Sequence, residues 1–512
     1  MKLQRTLALS LAATSLAGTL AACSAGAATP APTATPAAEP SVQTLSSQTS
    51  PAQKAPKYVF LFIGDGMSYP QFQAASDYLG AMADTNNDDI LDGNVNLSFM
   101  DFPVAGSAVT YDSTSFCPDS ASTATSISTG YKTYSGTINM DETATVAYET
   151  IAEKLREQFG WKIGVISSVN LNHATPAAFY AHQASRGNYY EIGEELVASG
   201  FEYFAGGGLL KPTGSAKDKT SLYDLAAQSG YQVVMTQAEA EAVTAGPVLI
   251  IDEHLADSDA FAYENDRTED MWALSDYVKK GIEVLDNDTG FFMMVEGGKI
   301  DWACHANDAG STIADTIALS DAVEEAVAFA KQHPDETLIL VTGDHETGGL
   351  TIGFAGTDYD TYLDLLENQK ISFAKYDSDY VASYKANQTP FETVLADIEK
   401  LFGLKAQGEE GDKLVLTAYE MEQLRAAYEK SINGTASSQY DQAEYVLYGT
   451  YEPLSVTITH IINNKSGISF TSYSHTGLPV AVLAEGAGSE MFNGYYVNTD
   501  IYNKLADLLN IA

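Results

Sequence analysis

Tyr58-Val59-Phe60-Leu61-Phe62-Ile63-Gly64-Asp65-Gly66 is an unbroken apolar run that stops on a glycine-flanked acid. Aromatic and β-branched residues bounded by glycine read as a β-strand. No polar residue alternates with the apolar ones, so both faces of the strand have to be buried, as in a parallel sheet covered by helices. The pattern recurs: residues 291–295 (FFMMV) run into Glu296-Gly297-Gly298-Lys299-Ile300-Asp301, and residues 338–341 (LILV) into Thr342-Gly343-Asp344-His345-Glu346. Residues 163–166, 248–251 and 480–483 are further runs, separated by stretches of helical length. The fold class is therefore α/β, a central and largely parallel sheet with helices on both faces. Open sheets of this kind bind ligands past the carboxyl ends of their strands, which is where these acids and His345 fall. One acid after a strand is explained as a helix cap. Three strand ends that together carry Asp65, Glu296, Asp301, Asp344 and His345 are better explained as a cation site.

A composition of 45% hydrophobic and 10% aromatic residues over 512 positions supplies a large core and excludes a disordered chain. The balance of 27 basic against 68 acidic residues, a net charge of −41, excludes nucleic acid as a partner. It also repels anions until they come within about 8–10 Å. A site for a phosphate ester must then bring its own positive charge, as metal ions do, while the acidic excess itself is accounted for by solubility.

Residues 1–22 have the charged start, apolar run and small-residue end of an export signal, and Leu20-Ala21-Ala22-Cys23 resembles a lipobox that would place a lipid anchor on Cys23. Residues 23–57, rich in Ala, Thr, Pro and Ser, read as a disordered tether. The catalytic domain is expected over 58–512. Two cysteines remain in it, Cys117 and Cys304, and spacing does not decide whether they pair.

Zinc prefers imidazole and carboxylate, magnesium hard oxygen. Asp301 and His305 stand four apart, on one face if IDWACH opens a helix, and Asp344 and His345 are adjacent. His182, His254, His333 and His460 lack acidic or glycine-rich neighbours and are expected at the surface or in packing. In Cys117-Pro118-Asp119-Ser120-Ala121-Ser122-Thr123-Ala124-Thr125, Ser120 opens a segment of small residues at a helix start, where N–H groups and the dipole favour an anion. Local chemistry leaves two readings of it, a nucleophile or a helix cap. The acid-rich 84–89 segment lacks the glycine and glutamate of a calcium loop and reads as solvated.

These segments, with FLFIGDGM (60–67), PDSASTAT (118–125), NHATPAAFYAHQASR (172–186), VEGGKIDWACH (295–305), VTGDHETGG (341–349) and SHTG (474–477), resemble the bacterial secreted alkaline phosphatases, in the family's order. The resemblance implies two zinc ions and one magnesium ion. One zinc would be held by Asp301, His305 and His475, the other by Asp65, Asp344 and His345 beside Ser120, and magnesium by Asp65, Thr175 and Glu296. It further implies Ser120 as nucleophile, Arg186 gripping the phosphoryl group, and Asp119, His173 and Trp302 as neighbours of the substrate. The substrates would be small phosphate monoesters, the assembly a homodimer, and the membrane would be met only through the lipid on Cys23. The Asp-Ser-Ala triplet and Arg186 point away from the diesterases, sulfatases and mutases of the same fold. His173 and Trp302 stand where some relatives carry Asp and Lys, which implies a different retention of phosphate. Residues 355–455, rich in tyrosine, read as an insertion that forms a lid, a dimerisation lobe or a passive surface lobe. Thr389-Pro390-Phe391-Glu392 and Thr417-Ala418-Tyr419-Glu420 each fit a capping box within it.

Overall fold

The computed structural model describes residues 55–84, 91–434 and 437–511. The signal segment, Cys23, nearly all of the tether and the acid-rich 84–89 stretch beyond Asp84 lie outside the described residues. A ten-stranded sheet runs through the domain. Its strands are β1 (Tyr58–Gly64), β2 (Val104–Val109), β3 (Lys162–Asn170), β4 (Tyr203–Gly207), β5 (Gln232–Val234), β6 (Val248–Ile251), β7 (Phe291–Gly297) and β8 (Thr337–Gly343), with Val480–Gly486 and Gly494–Val497. From one edge the order is Gly494–Val497, β2, Val480–Gly486, β8, β1, β7, β3, β4, β6, β5. All neighbours from β8 to β5 are parallel, and Val480–Gly486 is antiparallel to both of its own.

Every residue of β1, β7 and β8 is buried, as their unbroken apolar sequence requires. Alternation along β1 divides its side chains between two cores: Tyr58, Phe60 and Phe62 face one, Val59, Leu61 and Ile63 the other. Gly64 is level with Gly297 on one side and Gly343 on the other, so the three central strands end together. Asp65 and Asp344 each follow one of these level glycines, and Glu296 precedes the third, level with Ile63. The close return of the chain after β1 demands glycine at Gly343, where a Cβ would stand 1.9 Å from the Met67 carbonyl oxygen.

The six expected strands are present, each with the expected apolar run inside it. β2, β4, β5 and Gly494–Val497 were not legible. The lobe between residues 355 and 455 contributes Leu363, Leu366, Tyr376, Tyr384, Phe391 and Phe402 to the same core as Cys304 and Ile313. It is thus an integral part of the domain's packing. Of the expected capping boxes, Thr417 forms one with Glu420 at the head of the helix Ala418–Asn433. Thr389 does not: the helix Phe391–Phe402 has Pro390 at its N-cap, because a residue preceding proline is driven to extended backbone. Cys117 is exposed, Cys304 is buried, and both are free thiols.

Candidate active site

Ser120 is the first residue of the helix Ser120–Thr129, and the cap is Asp119, whose Oδ1 accepts the Ser122 N–H at 3.1 Å. The cap of this helix is therefore Asp119 and not Ser120. Ser120 Oγ, nearly buried, lies 3.1 Å from His345 Nε2 and 3.5 Å from Asp65 Oδ1. The remaining ligand candidates gather around it in two groups, Asp65 with Asp344 and His345, and Asp301 with His305 and His475, the donor atoms of each lying within 4.8 Å of one another. His182, His254, His333 and His460 lie outside both groups, as expected.

In the first group His345 Nε2 is 3.3 Å from both Asp65 Oδ1 and Asp344 Oδ2. The other oxygen of Asp344 takes the N–H groups of Gly66 and His345, at 3.1 and 2.9 Å, which fixes its orientation. In the second group the short helix Lys299–His305 sets Asp301 and His305 on one face, with 3.4 Å between Oδ2 and Nε2. His475 arrives from the far end of the chain, 3.6 Å from Asp301 Oδ1. His305 Nδ1 donates to the Tyr473 carbonyl at 2.7 Å and His475 Nδ1 to the Pro118 carbonyl at 2.5 Å. Since carbonyls only accept, each Nδ1 carries a proton, and the two Nε2 atoms are left facing each other, at 3.1 Å, and the Asp301 carboxylate.

A third set is built of oxygen alone. Asp65 divides its carboxylate: Oδ1 faces His345 and Ser120, while Oδ2 accepts the Thr175 hydroxyl at 3.0 Å. Glu296, fully buried, accepts the Ser167 hydroxyl on Oε2 and has no partner on Oε1. Burial pushes Asp65 well above the usual carboxylate range, and the charges of Asp344 and Asp301 push it further. Burial does the same to Glu296, with Asp65 adding to it. Burial lowers His345 to about 4 and His475 to about 3, leaving both as neutral ligands at neutral pH. Crowded carboxylates with an orphaned oxygen, and imidazoles gathered around carboxylates, have the composition of cation sites: nitrogen and oxygen for zinc, oxygen alone for magnesium.

Arg186 is tied to the residue before Ser120. Its Nη1 donates to Asp119 Oδ2 at 2.9 Å, and Nη2 lies 3.5 Å from His173 Nε2. Burial raises Asp119, but the adjacent guanidinium overcomes it and holds the carboxyl down at about 2, so the pair stays ionised. His173 meets the Trp302 ring edge to face at 5.9 Å between centroids. The structure thus brings together all the residues singled out in the sequence. It adds supports that sequence reading missed. Thr347 donates to Asp301 Oδ1 at 2.5 Å, Thr123 to Asp344 Oδ2 at 3.1 Å, and Ser167 to Glu296. Thr347 had a signal, two positions after His345 in the same motif, whereas Ser167 is recognisable only through the register of β3 with β7.

A helix-borne serine under two cation-binding groups, with a tethered arginine alongside, defines an α/β enzyme built around a phosphoryl group. The family model of alkaline phosphatase matches residues 56–511, and the chain belongs to that family of phosphomonoesterases. It is 30% identical over 477 residues to alkaline phosphatase 4 of Bacillus subtilis, covering 91% of this chain and 92% of that one. It is 31% identical to alkaline phosphatase 3 of the same organism, covering 87% of each. The solved cold-active alkaline phosphatase of Shewanella sp. superposes with a TM-score of 0.72 at 28% identity, covering 88% of this chain and 99% of that one.

Proposed function

We propose that the protein hydrolyses phosphate monoesters in two in-line steps through a phosphoserine at Ser120, with two zinc ions and one magnesium ion in the three ligand sets. The observation that carries this is the Ser120 hydroxyl, freed from capping by Asp119 and aimed at Asp65 and His345. When bound, the cations supply Lewis acidity, lowering the pKa of the serine hydroxyl and of a water molecule and offsetting charge on the phosphoryl oxygens.

The chain's own groups do the rest. The guanidinium fork of Arg186 matches two phosphoryl oxygens, and its tether to Asp119 fixes it before substrate arrives. The helix N-terminus at Ser120 offers N–H groups to the same anion. Ser120 Oγ attacks phosphorus, the bond to the alcohol oxygen breaks on the opposite side, and the alcohol leaves with a proton. Water then attacks the phosphoserine along the vacated direction, releasing phosphate and restoring the hydroxyl. Nothing in this sequence of steps requires recognition of the alcohol, which favours a broad range of monoesters. Export, a lipid anchor at Cys23 and a homodimer, supported by the lipobox and by the family resemblance, belong to the same proposal.

The test uses nitrophenyl phosphate as monoester, its diester counterpart, and the variant Ser120→Ala. Monoester turnover, little diester turnover, and acid-stable phosphate on Ser120 after a brief quench are expected. Wild-type rates in Ser120→Ala would overturn the covalent route.

A further inference from the structure

Lys299 begins the short helix that carries Asp301, Trp302 and His305. Its side chain is fully buried, and Nζ has no hydrogen-bond acceptor. Lysine head groups ordinarily reach water while the stem lies on apolar surface, and an ammonium without an acceptor is costly to bury. Here Nζ sits instead between two aromatic faces, 3.9 Å from the ring centroid of Tyr263 and 4.7 Å from that of Trp302. Burial pulls the group below the ordinary lysine value, and Asp257, Asp315 and Asp266 pull it back. Trp302 lies one helical turn further on. Its ring meets His173 edge to face, and His173 in turn lies 3.5 Å from Arg186 Nη2. A line of contacts thus joins a buried cation that touches no reacting atom to the guanidinium tied to Asp119.

We infer that Lys299 is a positioning residue: its ammonium, held between Tyr263 and Trp302, fixes the plane of the indole against His173 and so sets the orientation of Arg186 toward the phosphoryl group. The inference rests on the proposed role of Arg186. A cation is attracted to the face of an indole and not to its edge, so the ammonium selects one ring orientation, which an aliphatic side chain of equal volume does not. No side chain in this line is Ser120 or a candidate cation ligand, although Asp301 and His305 share the short helix with Lys299 and Trp302. The effect therefore belongs to binding of substrate and phosphate, not to the bond-making step.

The experiment compares metal-loaded wild type, Lys299→Met, Lys299→Arg, Trp302→Ala and the double variant Lys299→Met with Trp302→Ala, all at pH 7. It uses nitrophenyl phosphate as substrate and inorganic phosphate as inhibitor. Lys299→Met is expected to raise KM and the phosphate inhibition constant about tenfold, with kcat changed by no more than about twofold. Lys299→Arg restores both constants, and in the Trp302→Ala background the methionine changes neither. Lys299→Gln serves as a second neutral variant if the methionine does not fold. A purely structural lysine would instead lower the amplitude of the phosphoserine burst equally with and without Trp302, and that result overturns the inference, as does an unchanged KM in Lys299→Met. A wild-type enzyme without monoesterase activity overturns the reading of the site and this inference with it; turnover without coupling between Lys299 and Trp302 overturns the inference alone.

Discussion

Glu296→Gln should move stability in opposite directions with and without magnesium. Glu296 is buried at the end of β7, with Ser167 on one oxygen, nothing on the other, and the Asp65 carboxyl as its neighbour. Glutamine has the same shape: its carbonyl keeps the Ser167 bond, and its amide can donate to the Asp65 carboxyl. An ordinary hydrogen bond contributes about 0.5–1.5 kcal/mol, so the chelated variant should be about 1 kcal/mol more stable than chelated wild type. The gain depends on pH. Glu296 has a raised folded pKa, so its acid form favours folding below the unfolded value, and that contribution is lost as pH rises through the folded one. The advantage of glutamine therefore grows with pH. With magnesium the sign reverses. Disturbing even a supporting group costs metal affinity about 10–100-fold, or about 1.4–2.8 kcal/mol, and losing an anionic ligand costs at least that. Urea unfolding followed by circular dichroism, on chelated and magnesium-saturated protein at two pH values, gives the four midpoints needed. A variant equally destabilised in both states, or one with an undiminished response to magnesium, refutes the assignment.

His475→Ala should lower zinc to about one ion per chain, because a three-ligand site cannot spare a ligand; unchanged zinc by elemental analysis would remove His475 from the site. Trp302→Lys would set a second ammonium near Lys299 Nζ, which lies 4.7 Å from the indole centroid. At about 5 Å and an effective dielectric of about 20 the repulsion is about 3 kcal/mol. Tighter phosphate inhibition should therefore appear when Trp302→Lys is added to Lys299→Met and not in Trp302→Lys alone. His182, where burial opposes but hydrogen bonds donated to Glu153 and Glu195 prevail, is raised to about 10. A raised histidine contributes fully below its unfolded value near 6.5 and loses that contribution as pH climbs to about 10. The gap in melting temperature between wild type and His182→Gln should shrink over that window and close above it; a constant gap would mean that the charge of His182 is irrelevant.

The strands that hold the site were the legible ones. β1, β7 and β8 are buried on both faces, and burial of that kind writes itself as an unbroken apolar run. β2 (VAGSAV) and β4 (YFAGG) are built from small residues and glycine, which carry little strand signal. β5 has three residues, and Gly494–Val497 is an edge strand with Tyr495 exposed. Thr389 shows how a motif can fit by letters and fail by backbone, since Pro390 dictates where the helix begins. At the site, the ligands were legible because glycine and acid cluster after each strand. The carbonyls of Tyr473 and Pro118 that set the imidazole tautomers were not, because any residue supplies a carbonyl and only the fold brings that one close. Lys299 was quoted within its motif, but its burial under two rings depends on Tyr263, distant in sequence.

The level ends of β8, β1 and β7 act as a ruler. Neighbouring strands lie about 4.8 Å apart whatever their side chains, so the spacing of the strand ends that carry Asp65, Glu296 and Asp344 is inherited from backbone pitch. One residue inserted within any of these strands would turn every later side chain to the opposite face. The stretch between Ile352 and Ile468 is under no such rule. It starts and ends at a two-residue antiparallel clasp, Thr351 opposite Ser469 and Ile352 opposite Ile468, and in between packs into the core while keeping exposed turns. Residues can be gained or lost in those turns while the three strand ends stay where they are. The molecule thus keeps its fixed distances and its adjustable length in different parts of the chain.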